Sequence, residues 1–337
     1  VSIISSKEIK LKVAVISDLH IGQTLYRNTD DGLNKYEAIL YDKLEEYVEE
    51  CKKADVVIIC GDVFHVPNPS IIAINKFNEM YDTLVDNCSD VSIILGNHDF
   101  NLQQAKHNTS SVSALTDFCI DFNTSSIQYD DVVFHFVPWS FSAEQKKEFE
   151  EQVLKNLDKK KYNVLIAHGT TETYMNQFNV NIAFDIPDEF IKHFDLAFIG
   201  HVHEYKEYKV GKTKTFSVGS IINPTATKCD TGIIWFDTLT KKITRQHIDT
   251  PYTEKITTDD ISDIEVKNNI YKITYTGDVN KIDDEKFNEL KKKALAVSLE
   301  LPNEDIEESD ENFESDFMTW LQDNYSDKVD LFKKISE

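Results

Sequence analysis

Cysteine is scarce and scattered in this chain. Five residues, Cys51, Cys60, Cys88, Cys119 and Cys229, are spread over 337 positions. Their odd number, wide spacing and lack of any C-x-x-C pair exclude a disulfide framework, a zinc ribbon and dithiol redox chemistry, and predict reduced, mostly structural thiols. No apolar run approaches the roughly 20 residues needed to cross a bilayer, so no membrane helix is expected. The opening residues, Val1-Ser2-Ile3-Ile4-Ser5-Ser6, contain neither a basic region nor a long apolar core. No secretory signal is read there, and a cytoplasmic location is expected. Internal repeats are absent. Positive charge is also short: 36 basic against 59 acidic residues give a net charge of −23. Such a chain repels a polyanion on average, the opposite of the usual balance in a nucleic-acid-binding domain. Residues after position 250 hold 23 acidic and 11 basic side chains, about half of the excess. The charge therefore says little about the surface formed by earlier residues.

The hydrophobic content is 41%, enough for a sizeable core. The length exceeds the roughly 250 residues that one core usually serves, so a large domain with smaller additions is expected. Five short β-branched runs, Val13–Ser17, Val56–Cys60, Val91–Leu95, Asn163–Ala167 and Asp195–Ile199, predict buried strands. Amphipathic spacing predicts helices over Asn34–Lys53, Ser70–Asn87, Ala143–Leu157 and Pro187–His193. Further strand-like segments, Val132–Pro138, Thr215–Val218, Gly232–Asp237 and Lys242–His247, suggest a second sheet packed on the first. The predicted class is α/β (α+β): a two-sheet sandwich flanked by helices. Residues 1–252 would form this domain and 253–299 a small α+β unit, with a strand over 268–276 and helical spacing from Asp283 to Val297. Residues 300–316 contain nine acidic and no basic residues, a linker composition. Residues 317–337 would form a terminal helical element whose apolar face needs a cover.

Chemistry-bearing residues follow the five main runs. Asp18 and His20 flank Leu19; on an extended backbone both side chains point one way and can grip one ion. Gly61-Asp62 offers a carboxylate suited to bridging two cations, although alone it could be a helix cap. Gly96-Asn97-His98-Asp99 sets an amide oxygen, an imidazole and a carboxylate on one turn, with an Asx-turn as the ordinary alternative. Gly200-His201-Val202-His203 repeats the same-face geometry with two imidazoles, which suit Mn, Fe or Zn better than Ca. His168 alone is unremarkable, and weight comes from the conjunction. If the five strands share a sheet, every cluster sits at its strand ends. Two divalent ions held there point to phosphoester hydrolysis.

This ordered set, D-x-H, G-D, G-N-H-D, H-G and G-H-x-H, resembles the calcineurin-like metallophosphoesterase superfamily over residues 12–203. The resemblance implies a helix-flanked β-sandwich with two divalent metal ions, Mn first and Mg second. One ion would take Asp18, His20, Asp62 and His203; the other would take Asp62, Asn97, His168 and His201, with Asp62 bridging. His98 would be a non-ligand acid that stabilises charge or protonates the leaving oxygen, and Asp99 would orient it.

The superfamily's protein phosphatases carry arginines shortly after the second and third motifs, whereas this chain continues Val63-Phe64-His65-Val66-Pro67-Asn68-Pro69-Ser70 and Asp99-Phe100-Asn101. G-D-V-F-H followed by a helix-opening P-S resembles the SbcD branch, the nuclease subunits of DNA repair and recombination complexes. That resemblance implies a 3′-to-5′ exonuclease on duplex ends that also cuts single strands. His65 would assist at the active site, 253–299 would cap DNA, and 317–337 would dock on an SbcC-type SMC-like ATPase or fold back on its own domain. A homodimer would form through helices near the second and third motifs, although Ser70–Asn87 could equally pack on its own sheet. Val218–Pro224 resembles the superfamily's G-S segment but carries Asn223-Pro224 where nuclease relatives often have arginine. Two alternatives remain at this point: a phosphodiesterase for small nucleotides and a non-catalytic scaffold.

Overall fold

The computed structural model describes residues 10–301 apart from 26–28, 31–32, 117–118, 121, 180–184, 266, 268 and 279–281. Of the linker predicted over 300–316 only its first two residues are described, Glu300 closing a strand, and the terminal helix predicted over 317–337 lies outside the described residues.

The five apolar runs do form strands, but they do not share a sheet. The first sheet has the order Ile243–His247, Gly232–Asp237, Lys12–Ile16, Val56–Ile59, Asp90–Ile94, Cys119–Ile120. Its last four strands are mutually parallel, and Gly232–Asp237 runs antiparallel to Lys12–Ile16. The second sheet has the order Lys206–Val210, Thr213–Ser217, Leu196–Gly200, Tyr162–His168, Val132–Val137, Ser125–Tyr129. Its four central strands are parallel, with antiparallel strands at both edges.

The period-2 alternation of each strand explains the layering, because successive side chains leave on opposite faces. Val13 and Val15 meet Phe134, Phe136, Ile166 and Phe198 in the core between the sheets. Ala14 and Ile16 point the other way, onto helices Lys35–Cys51 and Ile71–Asn87. On the far side Leu165, Ala167, Ala197 and Ile199 pack against Val153, Tyr174 and Phe190. Strands covered on both faces read as unbroken apolar runs, which is why they stood out in the sequence.

Helix starts follow their caps. Asn34 accepts amides from Tyr36 and Glu37, and the Ser70 hydroxyl accepts from Ala73 at 3.1 Å. The helix predicted over Asp283–Val297 is shorter, Asp284–Lys293, and Ala296–Glu300 is a strand instead. That strand and Thr253–Thr258 flank Ile270–Tyr275 in a three-stranded parallel sheet. The ammonium of Lys35 ties this sheet's helix to the sandwich by donating to the carbonyls of Lys292, Lys293 and Ala294. Among the described residues no helix is long and apolar enough to cross a membrane.

Candidate metal centre

Both sheets aim the carboxyl ends of their parallel strands at one place. Asp18 follows Lys12–Ile16, Asp62 follows Val56–Ile59 and Asn97 follows Asp90–Ile94; His168 ends Tyr162–His168, and His201 and His203 follow Leu196–Gly200. Three ligand loops therefore come from one layer and two from the other.

The D-x-H segment is not extended, as its alternation suggested. Asp18 and His20 adopt φ of +52° and +47°, and Asp62 and His201 adopt +53° and +96°. Left-handed backbone is uncommon outside glycine, and its concentration at these positions marks a functional constraint. The turn is held by Asp18 N–H donating to Gly61 O and His20 N–H to Asp62 O, each at 3.0 Å, while Leu19 is buried in the core. Glycine is needed at the loop entries: a Cβ on Gly200 would lie 2.1 Å from Cys60 O, and one on Gly96 would lie 2.2 Å from Asp62 Oδ1.

The side chains converge in two groups. Asp18, His20 and His203 form one, and Asp62, His168 and His201 the other, with potential ligand atoms of each group within 4.8 Å of one another. Asn97 Oδ1 joins the second group, 2.8 Å from His201 Nδ1 and 3.1 Å from His168 Nε2. Asp62 Oδ2 lies between the groups, 3.8 Å from His20 Nε2 and 3.4 Å from His168 Nε2.

His20 Nε2 and His203 Nε2 face each other at 2.9 Å, and His20 Nδ1 is buried without a partner. Burial holds the His20 pKa well below its usual range, so this contact gathers lone pairs that a cation satisfies. His168 Nδ1–H donates to Cys60 O at 2.7 Å, which leaves Nε2 to face Asp62 and Asn97. Burial alone would lower the His168 pKa, but the Asp62 carboxylate overrides it and lifts it to about 9. Burial would raise the Asp62 pKa, and the charge of His168 overrides that and holds it low. Burial and then the charge of His168 keep the His201 pKa down. Oxygen and neutral imidazole donors of this kind fit two divalent cations.

The remaining predicted residues surround this set. His98 N–H donates to Asp62 Oδ1 at 2.9 Å, and its ring Nδ1 pairs with His65 O at 2.8 Å. The His65 ring stacks on the His98 ring with centroids 5.4 Å apart, and burial lowers the His65 pKa. His20, His65 and His98 also lie close enough to form a third grouping. Asp99 does not hold the His98 ring. Its Oδ1 accepts from Phe64 N–H at 3.0 Å and its Oδ2 from Gly96 N–H at 2.8 Å, so it joins the second and third loops, and the His65 carbonyl orients His98. Asp99 is fully buried, and burial followed by the Asp62 charge raises its pKa.

Two contributors were missed in the sequence. Ser17 Oγ lies 2.5 Å from Asp18 Oδ2 and 3.1 Å from Cys60 O, fixing the carboxylate. A serine ending the strand was its only signal. The Cys60 carbonyl, which serves both Ser17 and His168, has none, since every residue supplies a carbonyl.

A parallel-stranded double layer with an Asp/Asn/His set at its strand ends defines a metal-dependent phosphoester hydrolase. The model of the calcineurin-like phosphoesterases matches residues 11–205, more than half of the chain, and the protein belongs to that family. The family uses a dinuclear divalent metal centre, with which the two groups are compatible. The chain is 27% identical over 199 residues to the DNA double-strand break repair protein Mre11 of Methanococcus maripaludis, which spans 56% of this chain and 50% of that one. It thus aligns with half the length of this curated relative. Solved structures with a similar fold include purple acid phosphatase PPD1 from yellow lupin seeds (TM-score 0.47, 17% identity, 73% of this chain and 54% of that chain). TT1561 of Thermus thermophilus is another (TM-score 0.46, 9% identity, 72% of this chain and all of that one).

Proposed function

We propose that the protein is a two-metal DNA nuclease, a 3′-to-5′ exonuclease on duplex ends and an endonuclease on single strands, working as the nuclease subunit of an SbcCD-like repair or recombination complex. The observation that carries a phosphodiester substrate concerns arginine. The sequence has two, Arg27 and Arg245. Arg245, the only arginine among the described residues, is committed to the Asp230 carboxylate and carbonyl and lies 3.7 Å from the Tyr205 ring centroid. A guanidinium fork is the usual clamp for a phosphomonoester dianion. Among the described residues the centre holds no guanidinium, which suits a diester with its single charge. The similarity to Mre11 and the G-D-V-F-H segment support DNA as that diester.

Asp18, His20, Asp62 and His203 would hold one ion, and Asp62, Asn97, His168 and His201 the other, Mn being favoured over Mg. When bound, such ions would neutralise charge on the attacking and leaving oxygens and make water a better nucleophile near neutral pH. His98 supplies the proton. Its Nδ1–H is occupied by the His65 carbonyl, so Nε2 is the atom that can give a proton to the leaving oxygen. His65, stacked against it, restricts that ring to one orientation. The Thr253–Glu300 sheet and its helix would cap the DNA. They reach the centre through the 219–226 loop, where Ser220 N–H and the Asn223 amide donate to His203 O, and Thr253 N–H to Ala226 O. Residues 300–316 would be the linker and 317–337 the docking element for the ATPase. Exposed Val66, Ile71, Ile72 and Leu102, beside the second and third loops, would form the homodimer face.

The test is digestion of end-labelled duplex and single-stranded DNA by the chain with Mn, Mg or chelator, with His98→Ala alongside. Mn-dependent shortening that is lost in the variant is expected. Cleavage of short model diesters without any cleavage of DNA would replace this function with hydrolysis of small nucleotides.

A further inference from the structure

We propose that Cys229, His247 and Asp249 form a third cation site, separate from the dinuclear centre and suited to zinc. A sulfur, an imidazole nitrogen and a carboxylate oxygen from these residues lie within 4.8 Å of one another. Strand pairing brings them together. Gly232 stands opposite His247 in the register of Gly232–Asp237 with Ile243–His247, so the loop just before the first strand meets the residues just after the second. His247 Nε2 lies 2.9 Å from Asp249 Oδ1. The Thr250 N–H donates to Cys229 Sγ at 3.1 Å, and the hydroxyls of Thr231 and Thr250 each lie 3.7 Å from that sulfur. The Ile248 carbonyl is a further neighbour of the sulfur at 3.7 Å and accepts the Thr231 hydroxyl at 2.7 Å, so the loop around Cys229 is tied on both sides.

Ligand chemistry separates this site from the main one. One thiolate, one imidazole and one carboxylate, with a fourth position open, match zinc's preference for tetrahedral sulfur and nitrogen coordination. Magnesium and manganese prefer oxygen and would load the dinuclear centre instead. The position also implies a role. Cys229, Asp249 and Thr250 line a cleft of about 560 Å³ whose other wall includes Asp42, Lys267 and Asn269. Asp249 lies in the connection from the sandwich to Thr253–Thr258, the first strand of the small sheet. A cation held there would clamp that connection to the sandwich.

The test uses the full chain, stripped of metal and titrated with Co²⁺, the spectroscopic stand-in for zinc. The ligands of the dinuclear centre are all oxygen and nitrogen, so a thiolate-to-cobalt charge-transfer band in the near ultraviolet would report a cysteine outside it, and its loss in Cys229→Ser would assign it to Cys229 among the five free thiols. That band is expected in the wild type, absent in Cys229→Ser and weakened in His247→Ala. Zinc stoichiometry should fall by one equivalent in Cys229→Ser, with Mn-dependent hydrolysis unchanged. Lack of the band in wild type at stoichiometric cobalt, or its persistence in Cys229→Ser, would overturn the proposal.

Discussion

Asp62 and His98 are joined by a hydrogen bond yet should fail differently when replaced. Asp62 Oδ2 stands between the two ligand groups, so Asp62→Asn should release both ions together, as elemental analysis after gel filtration would show. His98 offers its ring nitrogen to the His65 carbonyl. His98→Ala should keep its metal and lose hydrolysis by about 10²–10⁴-fold, the usual worth of a general acid. If His98→Ala lost metal as fully as Asp62→Asn, the grouping of His98 with His20 and His65 would be the true ligand set. His168 adds a dependence on pH. Its pKa rises from 6.5 to about 9 in the metal-free protein, so below pH 9 an entering ion must displace a proton. Metal affinity on this side should fall by up to about tenfold per pH unit as pH drops, with proton release visible by calorimetry in buffers of different ionisation enthalpy. The sign for stability is opposite. The pair with Asp62 stabilises the metal-free fold fully below pH 6.5, and that contribution is lost as pH rises through 9. These candidate ligand positions were legible because each follows or ends an unbroken apolar strand. The partner of Asp99 was not, because adjacency to His98 suggested the ring whereas the carboxylate turns to two amides, one of them 35 positions back in sequence.

The loops and strands raise questions of pairing. Asp99 pins the second loop to the third through Phe64 and Gly96. An asparagine there keeps one acceptor and turns an NH₂ toward the other amide. Asp99→Asn should therefore cost about 1–3 kcal/mol, read as a lower midpoint in denaturant with an unchanged slope. The same distinction between local and distant partners explains what was and was not visible in the chain. Helices Lys35–Cys51 and Ile71–Asn87 were anticipated to within two residues, because Asn34 and Ser70 cap them within their own first turns. Ala296 and Val297 were read as the end of a helix, because the pairing of Ala296–Glu300 with Ile270–Tyr275 is set 26 residues away, Ile270 standing opposite Ala296. The division of the five main strands between two sheets was equally hidden, since their apolar runs are alike and only tertiary packing assigns each to a layer.

On the scale of the molecule, the face beside the centre carries Ile71, the most exposed large hydrophobic side chain among the described residues at 76%, next to Ile72 at 56%. A monomer gains nothing by leaving isoleucines in water beside a catalytic centre. Ile71→Glu combined with Ile72→Glu should convert a dimer to a monomer in sedimentation equilibrium while leaving the thermal midpoint nearly unchanged, since neither side chain joins the buried core. A wild-type chain that sediments as a monomer at high concentration would remove the dimer from the proposal.

The division of ligands between the two layers has a consequence for the timing of activity. Asp18, Asp62 and Asn97 belong to one sheet and His168, His201 and His203 to the other, so neither half presents a complete ligand set. A chain still leaving the ribosome, or one whose layers have parted, carries no competent centre. Hydrolysis would thereby be licensed by completed folding, and cations held by residues of both layers would also act as rivets, stabilising the assembled state only once it exists.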